Sequence, residues 1–174
     1  MDMRFLLIAS ALVVSAAPAA AALPAGAKAP NFVTQGAIGG KPFKLALAEQ
    51  LRHGPVVLYF YPKAFTKGCT LEAHAFSEAM PEFKAAGARV IGMSADDLET
   101  LKKFSIEGCR SAFPVARADK KVIKAYDVAI PLVGLSNRTS YVIARDGRIV
   151  MVHSDMDWKD HVAKSLGAVK ALKR

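Results

Sequence analysis

Cysteine is scarce in this 174-residue chain: there are two, Cys69 and Cys109, and no C-x-x-C pair. Two thiols do not frame a disulfide scaffold, and a close redox pair is missing. Phosphate-cradling patterns are missing too. The chain has no G-x-G-x-x-G, no P-loop and no G-x-S-x-G, so nucleotide-dependent and serine-hydrolase chemistry lack support. The four histidines, His53, His74, His153 and His161, show no i, i+4 or other short ligand spacing joined to a cysteine pair. A metal centre is therefore not expected, nor is any other cofactor. No internal period of about 20–50 residues recurs, which excludes a solenoid or tandem array.

Acidic residues are in the minority, 15 against 24 Lys and Arg, for a formal charge of +9. The positive residues are scattered, with no strong block except the tail, and read as a solvated face; no nucleic-acid partner is expected. Apolar residues make up 52% and charged residues 22% of the chain, an ordinary globular mix.

A long apolar run opens the chain. Arg4 is followed by the stretch Phe5 to Val14 and a small-residue exit from Ala17 to Ala22, with Ala20 and Ala22 in A-x-A spacing. The run before Pro18 is short for a bilayer, which needs about 20 apolar residues. Residues 1–22 therefore read as a cleaved export signal and 23–174 as one compact domain, periplasmic or secreted, with no stable membrane insertion after cleavage. Asp2 and Arg4 leave together, so the charge balance is kept. An oxidising compartment would also allow the two thiols to bridge.

Within the domain, Asn31 to Thr34 and Lys41 to Leu45 flank Gly39-Gly40 as an N-terminal hairpin, and Leu45 to Leu51 reads as a short helix. Val56 to Tyr61 is a continuous run of β-formers, the mark of a strand buried on both faces. From Thr70 the period becomes helical, with Leu71, Ala75, Phe76, Ala79, Met80 and Phe83 on one face and Pro81 expected to kink it. Arg89 to Met93 is a strand. Asp96 with Glu99 forms a capping-box start for the next helix, and Cys109 falls at or just past its end. Phe113 to Ala116 reads as a short strand, and Asp119 opens a helix. Thr139 to Ala144 and Arg148 to His153 flank Asp146-Gly147 as a hairpin, and Trp158, Val162, Leu166 and Val169 stripe the closing helix. The order hairpin, α, β, α, β, α, β, α, hairpin, α predicts an α/β three-layer sandwich.

Chemistry concentrates where the buried strand gives way to a helix, in Pro62-Lys63-Ala64-Phe65-Thr66-Lys67-Gly68-Cys69. Sites in open α/β sheets lie beyond the carboxyl ends of strands. Cys69 falls there, at the first turn of a helix whose free N–H groups and positive dipole end favour a thiolate, the reactive form. A helix start contributes only about 0.3–1 kcal/mol, so a cation and hydroxyl donors must add to it. Thr66, three residues earlier, can bring its hydroxyl to the sulfur, and Pro62 can wall the pocket from water. Taken singly, Pro62 as a strand terminator, Thr66 as a helix cap and Gly68 as a turn residue explain the same spacing without chemistry.

Together, Pro-x-x-x-Thr-x-x-Cys after an apolar strand resembles the active site of the peroxiredoxins. Tyr59-Phe60-Tyr61-Pro62-Lys63 and Gly68-Cys69-Thr70-Leu71-Glu72-Ala73 look like the peroxiredoxin Q, or bacterioferritin comigratory protein, branch, and the likeness runs from about Ala29 to the last helix. The resemblance implies a thioredoxin-like fold with a central mixed sheet. It also implies a thiol peroxidase in which Cys69 attacks a hydroperoxide and becomes a sulfenic acid. The family brings an arginine to the start of a late strand, and Arg138-Thr139-Ser140-Tyr141-Val142-Ile143 matches that place. Arg138 is then the cation that holds thiolate and peroxide oxygens together with Pro62 and Thr66.

The chain departs from many relatives five residues after Cys69, where a resolving cysteine gives way to His74. Some relatives resolve from the following helix, which makes Cys109 the implied resolving residue, with a buried structural cysteine and an external thiol as the alternative. The implied partners are a hydroperoxide and a thioredoxin-like or other thiol reductant, and the implied state is a monomer or homodimer. Two rival readings remain: a thioredoxin-fold disulfide oxidoreductase, disfavoured by the missing C-x-x-C, and a non-catalytic exported binding module with a structural disulfide.

Overall fold

The computed structural model describes residues 22–172. The leader expected over 1–22 lies, apart from Ala22, outside the described residues.

Gly39 and Gly40 adopt φ of 53° and 75°, the left-handed conformation that a two-residue hairpin turn requires. They join β1 (Val33–Ile38) to β2 (Lys41–Ala46), paired from Ile38 opposite Lys41 to Val33 opposite Ala46. The short α1 (Leu47–Arg52) follows. Strand β3 (Val56–Phe60) is buried at every position. Its Val57 and Tyr59 enter the core on one side of the sheet, and Val56, Leu58 and Phe60 enter the core on the other. That double burial is why its sequence is continuously apolar rather than alternating.

The remaining elements are α2 (Lys67–Ala85), β4 (Arg89–Ser94), α3 (Leu98–Glu107), β5 (Val115–Arg117), α4 (Lys120–Ala125), β6 (Thr139–Ile143), β7 (Ile149–Ser154) and α5 (His161–Ala171). The seven strands form one sheet in the order β2-β1-β5-β4-β3-β6-β7. Strands β3, β4 and β5 are parallel; the other pairings are antiparallel, so the sheet is mixed. Residues of α2, α3 and α5 fill one core, around Tyr59, Phe76 and Phe104. Residues of α1 and α4 fill the other, around Phe60 and Tyr126. This is the three-layer sandwich and the element order expected from the sequence. No described helix is long and apolar enough to cross a membrane.

Details differ from expectation where a polar group is buried or a cap shifts. Helix α3 is capped by Asp97, which accepts the Thr100 N–H at 2.7 Å. Asp96 instead turns inward and accepts from the Ala64 N–H and the Ser94 hydroxyl, both at 2.8 Å. The buried face of α2 is Cys69, Glu72, Ala73, Phe76, Met80 and Phe83, while Leu71 is 39% exposed. Apolar periodicity missed this because the stripe contains a carboxylate. Helix α2 also runs through Pro81 as one 19-residue element. β5 begins at Val115 rather than Phe113, and Trp158 precedes α5, whose buried stripe is His161, Ser165 and Val169.

Candidate active site

β3 ends at Phe60, and the chain crosses Pro62 and Thr66 before α2 begins at Lys67, so Cys69 sits in the first turn of that helix. The connecting loop is held in an unusual shape. Phe65 adopts φ 64°, a left-handed conformation that costs on the order of 1 kcal/mol for an L residue. The Ala64–Asp96 hydrogen bond and the edge-on contact of Phe65 with Phe104, centroids 5.2 Å apart, hold it there.

Antiparallel pairing supplies the cation. Phe60 lies opposite Thr139, so Arg138, one residue before β6, arrives where β3 gives way to the Cys69 loop. The Ser136 hydroxyl fastens this segment by donating to the Tyr61 carbonyl at 3.0 Å. Arg138 is 4% exposed and Cys69 2%. Its guanidinium spends all three nitrogens: Nη2 lies 3.5 Å from Cys69 Sγ, Nη1 donates to Glu72, and Nε donates to the Met156 carbonyl at 3.0 Å. Gly68 makes room for it, since a Cβ there would stand 3.3 Å from Nη2.

Glu72 is one helical turn beyond Cys69 and faces the same way. It is fully buried, and desolvation pushes its carboxyl up to about 8 against the pull of Arg138. Behind it lies His161 of α5, with Nδ1 3.8 Å from Glu72 Oε1. His161 Nε2 donates to the Asp155 carbonyl at 2.9 Å, which leaves Nδ1 to accept the Ser140 hydroxyl at 2.8 Å. Burial first, then the neighbours His153 and Arg138, push this imidazole down to about 4, so it is neutral at pH 7.

The other sequence-derived residues fall unevenly around this centre. Pro62 is half-buried at the strand exit. Thr66 is the N-cap residue of α2 and exposed; its hydroxyl donates to the Lys63 carbonyl at 3.0 Å and not to the sulfur. Cys109 follows the α3 cap residue Gly108, fully buried beside Tyr59 and Phe104 in the same core cluster as Cys69. Burial alone pushes its thiol far up. Both cysteines are unbridged. Among the described residues no group of three or more His, Cys, Asp or Glu could hold a metal ion. Glu72, Ser140 and His161 escaped sequence reasoning; a lone Glu inside an apolar stripe was the available signal for the first.

Comparison with known proteins decides what this arrangement belongs to. Residues 25–152 match the AhpC/TSA family. The chain is a peroxiredoxin of that family. Peroxiredoxin Q of the chloroplast in Oryza sativa subsp. japonica is 32% identical over 149 residues, spanning 84% of this chain and 67% of the relative. The structure of peroxidoxin BcpB from Mycobacterium tuberculosis is 32% identical, with a TM-score of 0.75 over 86% of this chain and 98% of that one. Peroxiredoxin Q from Xanthomonas campestris is 27% identical, with a TM-score of 0.69 over 80% of this chain and 91% of that one. The peroxiredoxin is thus a thiol-dependent peroxidase, an oxidoreductase that acts on peroxides with a thiol as reductant, in a thioredoxin-type fold.

Proposed function

We propose that this peroxiredoxin reduces hydrogen peroxide and organic hydroperoxides at Cys69. The observation that carries the reading is the Arg138 guanidinium, buried and 3.5 Å from the Cys69 sulfur. A fixed positive fork beside a sulfur at a helix start stabilises a thiolate and the charge that develops on a departing oxygen. The Cys69 thiolate attacks the terminal peroxide oxygen; an S–O bond forms, the O–O bond breaks, and the alkoxide or hydroxide leaves and takes up a proton. Pro62 walls this pocket. Thr66, at the mouth of α2, keeps its oxygen lone pairs for the arriving peroxide while its O–H donates to the Lys63 carbonyl.

The sulfenic acid is then attacked by the Cys109 thiol, forming an intramolecular disulfide and releasing water, and an external thioredoxin-like dithiol reduces that disulfide. Cys109 must leave its core for this. Support comes from the segment beside it: Arg110 and Ser111 adopt φ of 50° and 56°, consecutive strained residues that favour local opening. The leader-like N-terminus supports work outside the cytoplasm, as a monomer or homodimer.

Stopped-flow mixing of the protein with hydrogen peroxide, with sulfenic acid trapping, tests the assignment. Wild type is expected to consume one equivalent quickly and to label at Cys69. Consumption by Cys69→Ser at the wild-type rate would refute it.

A further inference from the structure

The environment of Glu72 does more than hold Arg138 in place. One guanidinium faces two acids, the Cys69 sulfur and the Glu72 carboxyl. With both acids ionised the buried cluster carries a net negative charge, and with both protonated a net positive one. Each unbalanced buried charge costs several kcal/mol, so the cluster favours a single proton between them.

The carboxyl geometry agrees with this count. One oxygen of Glu72, Oε2, accepts from Arg138, while the other, Oε1, is buried with no hydrogen-bond partner. A carboxylate oxygen can only accept, and buried without a donor it is costly; a protonated one becomes a donor itself. Facing Oε1 at 3.8 Å is His161 Nδ1, which the Asp155 contact leaves without a proton and whose lone pair accepts the Ser140 hydroxyl, so it gives Oε1 no donor and disfavours a carboxylate there.

We propose that Glu72 and Cys69 share one proton across Arg138, that Glu72 surrenders it when the sulfur is oxidised, and that His161 with Ser140 biases the proton toward Glu72. The proposal rests on Cys69 being the peroxide-reactive sulfur. The balance closes within the site: thiolate, hydroperoxide and carboxylic acid give sulfenic acid, alcohol and carboxylate. The sulfur loses two electrons to the O–O bond, and the leaving alkoxide is neutralised by the proton that Glu72 releases. The cluster is neutral before and after, and Glu72 ends as the counter-charge of Arg138.

The remaining charged and titratable neighbours keep His161 an acceptor. His153 of β7 lies with its ring 4.5 Å from that of His161 and is itself approached by Lys164 Nζ at 3.3 Å. His153 and Arg138 disfavour a positive imidazole at His161 and Asp155 opposes them, while Lys164 acts on His153 against the Asp155 and Asp160 carboxylates. Tyr59 of β3, neutral and buried, faces Glu72 from the sheet.

The test counts protons. In a Cys109→Ala background, where oxidation stops at the sulfenic acid, the protein is mixed with one equivalent of hydrogen peroxide at pH 7 in weak buffer with an indicator dye. The ultraviolet absorbance of the thiolate is recorded beforehand. The parent is expected to take up essentially no proton per sulfur oxidised. Glu72→Gln is expected to keep its thiolate absorbance and take up one proton from solvent. His161→Leu is expected to take up none but to lose most of its thiolate absorbance, as the proton returns to sulfur. Uptake of one proton by the parent, or of none by Glu72→Gln while sulfenic acid forms, overturns the proposal. If Glu72→Gln does not fold, unchanged thiolate absorbance in His161→Leu overturns it. Absence of trapped sulfenic acid in the parent overturns the assignment of Cys69 instead.

Discussion

Cys69 and Cys109 lie in one core cluster, 2% and 0% exposed, so burial does not distinguish them. What surrounds each sulfur does. Cys69 stands at the first turn of a 19-residue helix beside a guanidinium. Cys109 stands past the end of α3 among aromatic rings, and desolvation is the single influence on its thiol, pushing it up. The neutral thiol is the cheap form at Cys109, whereas Cys69 has a fixed positive charge within reach of its sulfur. Under the proposed mechanism, one imported charge and not access to solvent sets which sulfur reacts.

Taking that charge's geometry away is expected to have the largest effect. Arg138→Lys keeps a positive charge but loses the fork that serves sulfur, Glu72 and the Met156 carbonyl at once. Its rate of sulfenic acid formation should fall about a hundredfold, the scale of losing one preorganised donor to developing charge. Stopped-flow peroxide consumption measures it, and a change of under threefold would mean that the two sulfurs differ for some other reason.

Altering the second sulfur should leave the first reaction intact. Cys109→Ala is expected to form sulfenic acid at the wild-type rate and to accumulate it, with no intramolecular disulfide seen by non-reducing mass spectrometry. Turnover with a thioredoxin-like dithiol should drop about tenfold, since one of two covalent steps is lost. Stability should fall by about 1 kcal/mol for a small buried side chain, read from urea unfolding. Wild-type turnover would return Cys109 to a packing role.

How much of this contrast could be read from the residues follows the same division. The order of elements along the chain, both hairpins and the Cys69 loop were legible because apolar period, Gly-Gly, Asp-Gly and Pro-x-x-x-Thr-x-x-Cys are local signals, whereas the order of strands within the sheet was not. Arg138 was placed by resemblance, and the Phe60–Thr139 register explains why it arrives there. Glu72 and His161 were not legible as partners. Their meeting depends on the approach of α5 to α2 across 89 residues of chain, and each alone reads as a solvated polar residue. The Thr66 hydroxyl was placed on the sulfur by spacing alone, whereas the cap conformation turns it to Lys63.

A smaller effect is expected at Gly68. A methyl group there would press on Arg138 Nη2 from 3.3 Å, so Gly68→Ala should slow peroxide reduction several-fold through a shifted guanidinium while moving the unfolding midpoint little. Equal losses in Gly68→Ala and Arg138→Lys would show that position, not forked hydrogen bonding, sets the contrast between the sulfurs.

The smallest expected effect is on stability against pH, and it separates the two regions without any peroxide. The folded-state carboxyl of Glu72 is raised to about 8 from an ordinary 4.5. Between those values the native protein holds a proton that the unfolded chain has lost, so this contribution to stability is complete below about 4.5 and is lost as pH rises through about 8. His161 runs the other way: its depressed value, about 4 against 6.5, leaves stability intact above 6.5 and removes it as pH falls toward 4. The two slopes oppose each other up to pH 6.5. From there to about 8 the shared-proton arrangement adds a second balance: native Glu72 holds a proton that its unfolded carboxyl has lost, and native Cys69 lacks one that its unfolded thiol keeps. The two cancel, so urea midpoints of wild type should stay nearly level from pH 6.5 to 8. In Glu72→Gln the carboxyl half is gone, and stability should rise over that range by on the order of 1 kcal/mol per pH unit. Cys109→Ala should follow wild type closely, because an unfolded thiol ionises mainly above this window. A wild type that loses stability steadily from pH 6.5 to 8 would mean that Cys69 keeps a proton of its own, and would dissolve the electrostatic distinction between the two cysteine sites.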